Sequence, residues 1–108
     1  MSKWDDFITT LRDGAIKIAT GDLKDFTSEI KDSAEEFAND SKADIEKWIK
    51  QLADGDITKD DFADQMHGLE ALAEMEALKQ IALGEIKLQQ LRDQLTDLVI
   101  DTAIKVLL

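Results

Sequence analysis

The chain contains no proline, no cysteine and no tyrosine, and only five glycines in 108 residues. A chain of average composition and this length would hold about five prolines. Proline breaks helix interiors and is common in loops, so its absence points to long uninterrupted helices. Without cysteine there is no disulfide scaffold, no thiolate metal site and no thiol nucleophile. Long hydrophobic runs are missing too. Ile81-Ala82-Leu83, Leu98-Val99-Ile100 and Val106-Leu107-Leu108 are the longest, and a membrane span needs about 20 mostly apolar residues. Where a secretory leader would need an apolar run, the chain has Trp4-Asp5-Asp6-Phe7. The expectation is a soluble, cytoplasmic protein with no membrane span.

Positive charge is also scarce. Thirteen basic side chains face 24 acidic ones, for a net charge of −11. DNA, RNA and anionic lipid all demand a basic surface, so direct nucleic-acid binding is not expected. A hydrophobic content of 44% nevertheless exceeds that of a disordered acidic tail. The length allows one domain, residues 1–108.

Apolar residues recur at spacings of three and four. Trp4, Ile8, Leu11, Ala15 and Ile18 form one stripe; Leu23, Phe26, Ile30, Ala34 and Phe37 a second; Ile45, Trp48, Ile49 and Leu52 a third. This is the amphipathic helix pattern rather than strand alternation, so the fold class is all-α. Thr20-Gly21-Asp22 reads either as a helix end with Gly21 at the C-cap or as a kink. Asn39-Asp40-Ser41 is polar, and Ser41 with Asp44 has capping-box spacing. The clearest break is Ala53-Asp54-Gly55-Asp56-Ile57-Thr58, with Gly55 suited to a left-handed C-cap and Thr58 with Asp61 forming a capping-box variant. Beyond it, Gly68 and Gly84 lack turn companions in a stretch of good helix formers.

These signals predict a first arm over 3–53 with a possible break at 20–22, a turn at 54–57 and a second arm over 58–107. The second arm is read as one helix, kinked if anywhere at Gly68. Two arms of about 50 residues would make a long antiparallel hairpin of roughly 75 Å, or a three-helix sheaf if Gly21 is a true turn. Facing residue numbers would sum to about 111, which sets Leu11 near Ile100 and Phe26 against Gly84. The expected core includes Ile8, Leu11, Ile30, Phe37, Trp48, Leu52, Phe62, Leu69, Leu88, Leu91, Leu95, Leu98 and Ile104. Trp4 and Trp48 lie on apolar stripes and are expected to pack rather than to stack on a ligand.

Two helices would leave much of the C-terminal third uncovered. Leu91, Leu95, Leu98, Val99, Ile100, Ile104, Leu107 and Leu108 are therefore expected to form a self-association interface, giving a coiled-coil-like helical bundle of several chains. The leading expectation is a structural or interaction protein, without catalysis, whose partner is itself, as a homo-oligomer or filament. The alternative is an acidic adaptor or inhibitor that docks a basic protein partner through the hairpin tip, residues 54–76. There, eight acids accompany one base, and Asp56, Asp60, Asp61 and Asp64 are the candidate docking residues. Coating of a lipid surface by opened helices is a weaker third reading, since the polar faces are acidic.

No motif carries chemistry. Residues 54–62 resemble the second half of a calcium loop, but the preceding ligand positions fall on Lys50 and Leu52, so too few oxygens are available. His67, Glu70 and Glu74 share a helix face. Di-metal bundles use the order Glu-x-x-His, twice; here the order is reversed and the histidine is single, unless a homo-oligomer brings two copies together, with Glu35 or Glu36 from the other arm. A solvated acidic face is the expected reading. No catalytic residue, cofactor or metal is assigned.

Overall fold

A computed structural model describes residues 2–108. These form six α-helices and one 3-10 helix, with no strand among the described residues: α1 (Lys3–Ile18), a 3-10 helix (Gly21–Phe26), α2 (Thr27–Asp40), α3 (Lys42–Ala53), α4 (Lys59–Glu70), α5 (Glu76–Lys79) and α6 (Glu85–Leu107). No helix among them is long and apolar enough to cross a membrane.

Local chemistry explains the first breaks. Ser2 caps α1 by accepting from the Asp5 amide, 3.2 Å. Gly21 takes a left-handed backbone, φ +58°, so the break at 20–22 is a turn rather than a kink. The chain reverses there and α2 returns along α1. Trp4 Nε1 donates to Asn39 Oδ1 at 3.3 Å, and Arg12 pairs with Glu35 at 3.6 Å, which fixes the pair as antiparallel. At Ser41 the helix bends without stopping. The Ser41 amide donates to Phe37 O and the Ile45 amide to Ser41 O, so the ladder bridges α2 and α3. The expected Ser41–Asp44 capping box does not form, because Ser41 is buried in the bend and makes no side-chain cap.

The α3–α4 turn follows the sequence closely. Gly55 sits at φ +79°. Its amide donates to Leu52 O and the Asp56 amide to Gln51 O, the paired bonds that satisfy a helix C-terminus. Thr58 and Asp61 exchange reciprocal hydrogen bonds of 3.1 and 3.0 Å at the start of α4.

The long second arm is where the structure departs from expectation. The helix passes through Gly68 unbroken, ends after Glu70, and resumes for good only at Glu85. Residues 71–84 contain good helix formers and no proline, yet they fold across α2 as loops around the short α5. The reason is burial. Met75, Leu78 and Ile81 are at most 4% exposed in this path, whereas a straight rod would hold them in water. Each such side chain contributes about 1.5–3 kcal/mol when buried, more than the helix propensity given up. Met75 adopts a left-handed φ of +45° to make the turn. Its fully packed side chain holds that strained backbone in place. The 75 Å hairpin is therefore replaced by a bundle of 42 × 29 × 20 Å.

Helices α1 and α6 form the most extensive pairing in the bundle. They run antiparallel. Gly14 abuts Leu98, and Ser2, Lys3 and Trp4 share a groove with Leu107. The register is close to the one expected for a hairpin, although the intervening chain follows another route. Gly84 has open space where a Cβ would stand and meets no aromatic ring; it is the N-cap of α6. The glycine that permits close helix approach is Gly14.

The core is Phe7, Leu11, Ile30, Phe37, Ile45, Phe62, Met66, Leu95 and Val99 with their smaller neighbours. Every residue of the expected core is buried or half-buried. Within α1, though, the deepest stripe is Phe7, Leu11 and Ala15, with Trp4 and Ile8 at its margin.

Candidate functional site

Of the eight C-terminal residues assigned to an interface, Leu91, Leu95, Val99 and Ile100 lie inside the single chain, none more than 6% exposed. Leu98, Ile104 and Leu107 are half-buried against the core, and only Leu108 is exposed. The reason is geometric: α1 and α4 both pack on α6, so this wide apolar surface has two neighbours within one copy. Among the described residues the most exposed large apolar side chains are elsewhere. Leu72 is 82% and Ile86 77% exposed, the one near the start of the 71–84 segment and the other just past its end.

The acidic stretch is divided by the fold. Asp56, Asp60, Asp61 and Asp64 are all exposed on the α3–α4 turn and the first turns of α4. Asp61 is occupied by the cap; Asp56, Asp60 and Asp64 take part in no ion pair among the described residues. Glu70 leaves this surface and turns inward. Glu74 lies just before α5 and Glu76 begins it, and a hydrogen bond donated by the Glu74 carboxyl to Glu76 raises the Glu74 pKa above its ordinary value, against the opposing charge of Lys79.

Sequence spacing grouped His67 and Glu70 with Glu74. The structure keeps the first two together and replaces the third with residues of α6. His67 and Glu70 project from one face of α4, and α6 presents Gln89, Asp93 and Asp97 at successive turns. His67 Nδ1 lies 3.0 Å from Glu70 Oε1, and Nε2 lies 2.8 Å from Asp97 Oδ1. Gln89 Nε2 donates to Glu70 Oε2 at 2.9 Å and to Asp93 Oδ1 at 3.0 Å. Arg92 turns away from the carboxylates and donates to the backbone oxygens of Glu70 and Ala73, at 2.6 and 3.0 Å, closing the end of α4.

Burial lowers the affinity of His67 for a proton, but hydrogen bonds to Glu70 and Asp97 and their negative charge outweigh it, leaving the pKa raised. A hydrogen bond accepted from Glu70 holds Asp93 below its ordinary value despite some desolvation, helped by Gln89 and by the charges of His67 and Arg92. Neither Asp93 nor Asp97 was singled out by sequence. Their spacing of four from Gln89 through Asp97 was the available signal, and it carries no meaning until α4 is known to lie opposite.

No family model, curated protein or solved structure matches this chain.

Proposed function

We propose that the chain is a non-enzymatic interaction protein that acts as a folded helical bundle and docks a basic protein partner through the acidic surface of the α3–α4 turn. The observation that carries this reading is the exposure of Asp56, Asp60 and Asp64 without ion-pair partners among the described residues, in a chain of net charge −11. Like charges left unpaired on one rigid element cost self-repulsion and favour an oppositely charged surface. Support for a role without catalysis comes from the single histidine: His67 is held on both sides by carboxylates, with no serine or threonine hydroxyl among its hydrogen-bond partners.

The test is binding of immobilised basic peptides or a lysine-rich protein across a salt series. Binding should weaken steeply as ionic strength rises and be lost on combined Asp56→Asn, Asp60→Asn and Asp64→Asn substitution. Binding that ignores both salt and these substitutions refutes the reading.

Self-association is a second reading, now resting on Leu72 and Ile86 rather than on the C-terminal residues. Sedimentation or light scattering distinguishes it. A mass above 12.1 kDa that falls to one chain on Leu72→Lys and Ile86→Lys supports it, and a single-chain mass at all concentrations removes it.

A further inference from the structure

We propose that His67, Glu70 and Asp93 bind one divalent transition-metal ion across the seam between α4 and α6, with Asp97 orienting the imidazole. One donor atom from each of the three lies within 4.8 Å of the others. Ligands on opposite sides of a common ion, each about 2.1 Å from it, stand about 4.2 Å apart. Side-chain closure of well under 1 Å in each ligand therefore brings the set to coordination distance.

The make-up of the cluster separates it from an ordinary surface group of acids. Three acidic side chains, Glu70, Asp93 and Asp97, gather around His67, with Arg92 the other basic group near Asp93. Arg92, one residue from Asp93, spends its hydrogen bonds on backbone oxygens instead. The Glu70 side chain is only 6% exposed and meets His67 and Gln89 on its two oxygens; in so sheltered a place a carboxylate is stabilised by a cation close by.

Orientation points the same way. When Nε2–H donates to Asp97, the Nδ1 lone pair aims at Glu70 Oε1, 3.0 Å away. The two atoms stand at hydrogen-bond distance, so a bound ion takes the place of the proton they share and sits to one side of the line between them, in contact with both. A histidine whose second nitrogen donates to a carboxylate is the usual arrangement of an imidazole metal ligand.

One imidazole nitrogen and two carboxylates suit zinc or manganese, with water completing the shell. They are too few oxygens for calcium. A bound ion would tie α4 to α6 and stabilise the folded state by mass action. The proposal does not depend on the docking surface.

The experiment is a calorimetric titration of the full chain, stripped with chelator, using zinc chloride and separately manganese chloride, paired with thermal unfolding. One ion per chain and a raised unfolding midpoint are expected with at least one of the two. Asp93→Asn should weaken binding at least about tenfold, and Asp97→Asn about 10–100-fold. His67→Gln should abolish it. Circular dichroism checks that each variant folds; Asp93 is exposed, so Asp93→Asn decides the matter even where His67→Gln fails to fold. No saturable binding of either ion overturns the proposal. So does binding that survives Asp93→Asn unchanged, which would place the ions on other surface acids.

Discussion

The contact between Gly14 and Leu98 gives a sharp test of how α1 meets α6. A methyl group added at Gly14 would stand 2.6 Å from Leu98 Cδ1, 3.3 Å from Cδ2 and 3.4 Å from Cγ. Two effects compete in Gly14→Ala. Alanine gains about 1 kcal/mol over glycine in a helix interior. Crowding a packed contact costs about 1–3 kcal/mol, the low end applying where flexible methyls can move aside, as the Leu98 ends can. Gly14→Ala alone should therefore range from neutral to about 2 kcal/mol destabilising. In a Leu98→Ala background the obstruction is gone, and the same change should stabilise by about 1 kcal/mol. Urea unfolding of the four proteins reads the coupling, expected at about 1 kcal/mol or more. With a slope of about 1–3 kcal/mol per molar urea, each step is resolvable. Additivity within about 0.3–0.5 kcal/mol would show that the two residues do not touch. The midpoints should also be independent of protein concentration, because the contact is made within one chain.

Two further outcomes follow from the seams of the bundle. Thr58→Ala removes half of the reciprocal cap at the start of α4 and should cost about 1 kcal/mol in chemical denaturation; an unchanged midpoint would mean the cap is absent in solution. In metal-free buffer, His67 should make stability depend on pH. Its folded-state pKa is raised, so the proton it shares with Glu70 and Asp97 stabilises the fold below the ordinary value of 6.5, and that contribution is lost as pH rises through the folded value. Asp93 acts oppositely, favouring the fold above its ordinary value of 3.8 and losing that effect as pH falls through the depressed one. Thermal unfolding of His67→Gln should lack the loss above pH 6.5, and a profile identical to that of the parent would contradict the assignment.

What could be read in the sequence was local. Gly55 with Thr58 and Asp61 specifies a turn by bonds that span six residues or fewer, and it forms as expected. The helical periodicities of α1 to α3 survive because each helix buries one stripe. Legibility ends at residue 71. Ala71-Leu72-Ala73-Glu74-Met75 carries no glycine and no proline, so propensity favours continuing the helix. It stops because α2 offers Met75, Leu78 and Ile81 a place out of water. That surface belongs to α2, Thr27–Asp40, and single-segment periodicity has no access to it.

The same limit governs the sites. His67 and Glu70 were paired by their spacing of three, a local fact, but Asp93 and Asp97 join them only because the chain reverses between α4 and α6. The reversal also changes what the hydrophobic surface means. A hairpin would give α6 one neighbour and leave its wide apolar face for a second chain. The break at 71–84 lets α4 and α1 both reach α6, so the chain supplies its own cover. Surface that would have driven assembly becomes core, while Leu72 and Ile86, unremarkable within a helix, become the large side chains most exposed to water. Charge is redistributed by the same event. Glu70 is drawn inward to meet His67 and Gln89, and the aspartates before it stay on the surface. A single departure from local propensity thus decides which residues can meet a partner and which can hold an ion.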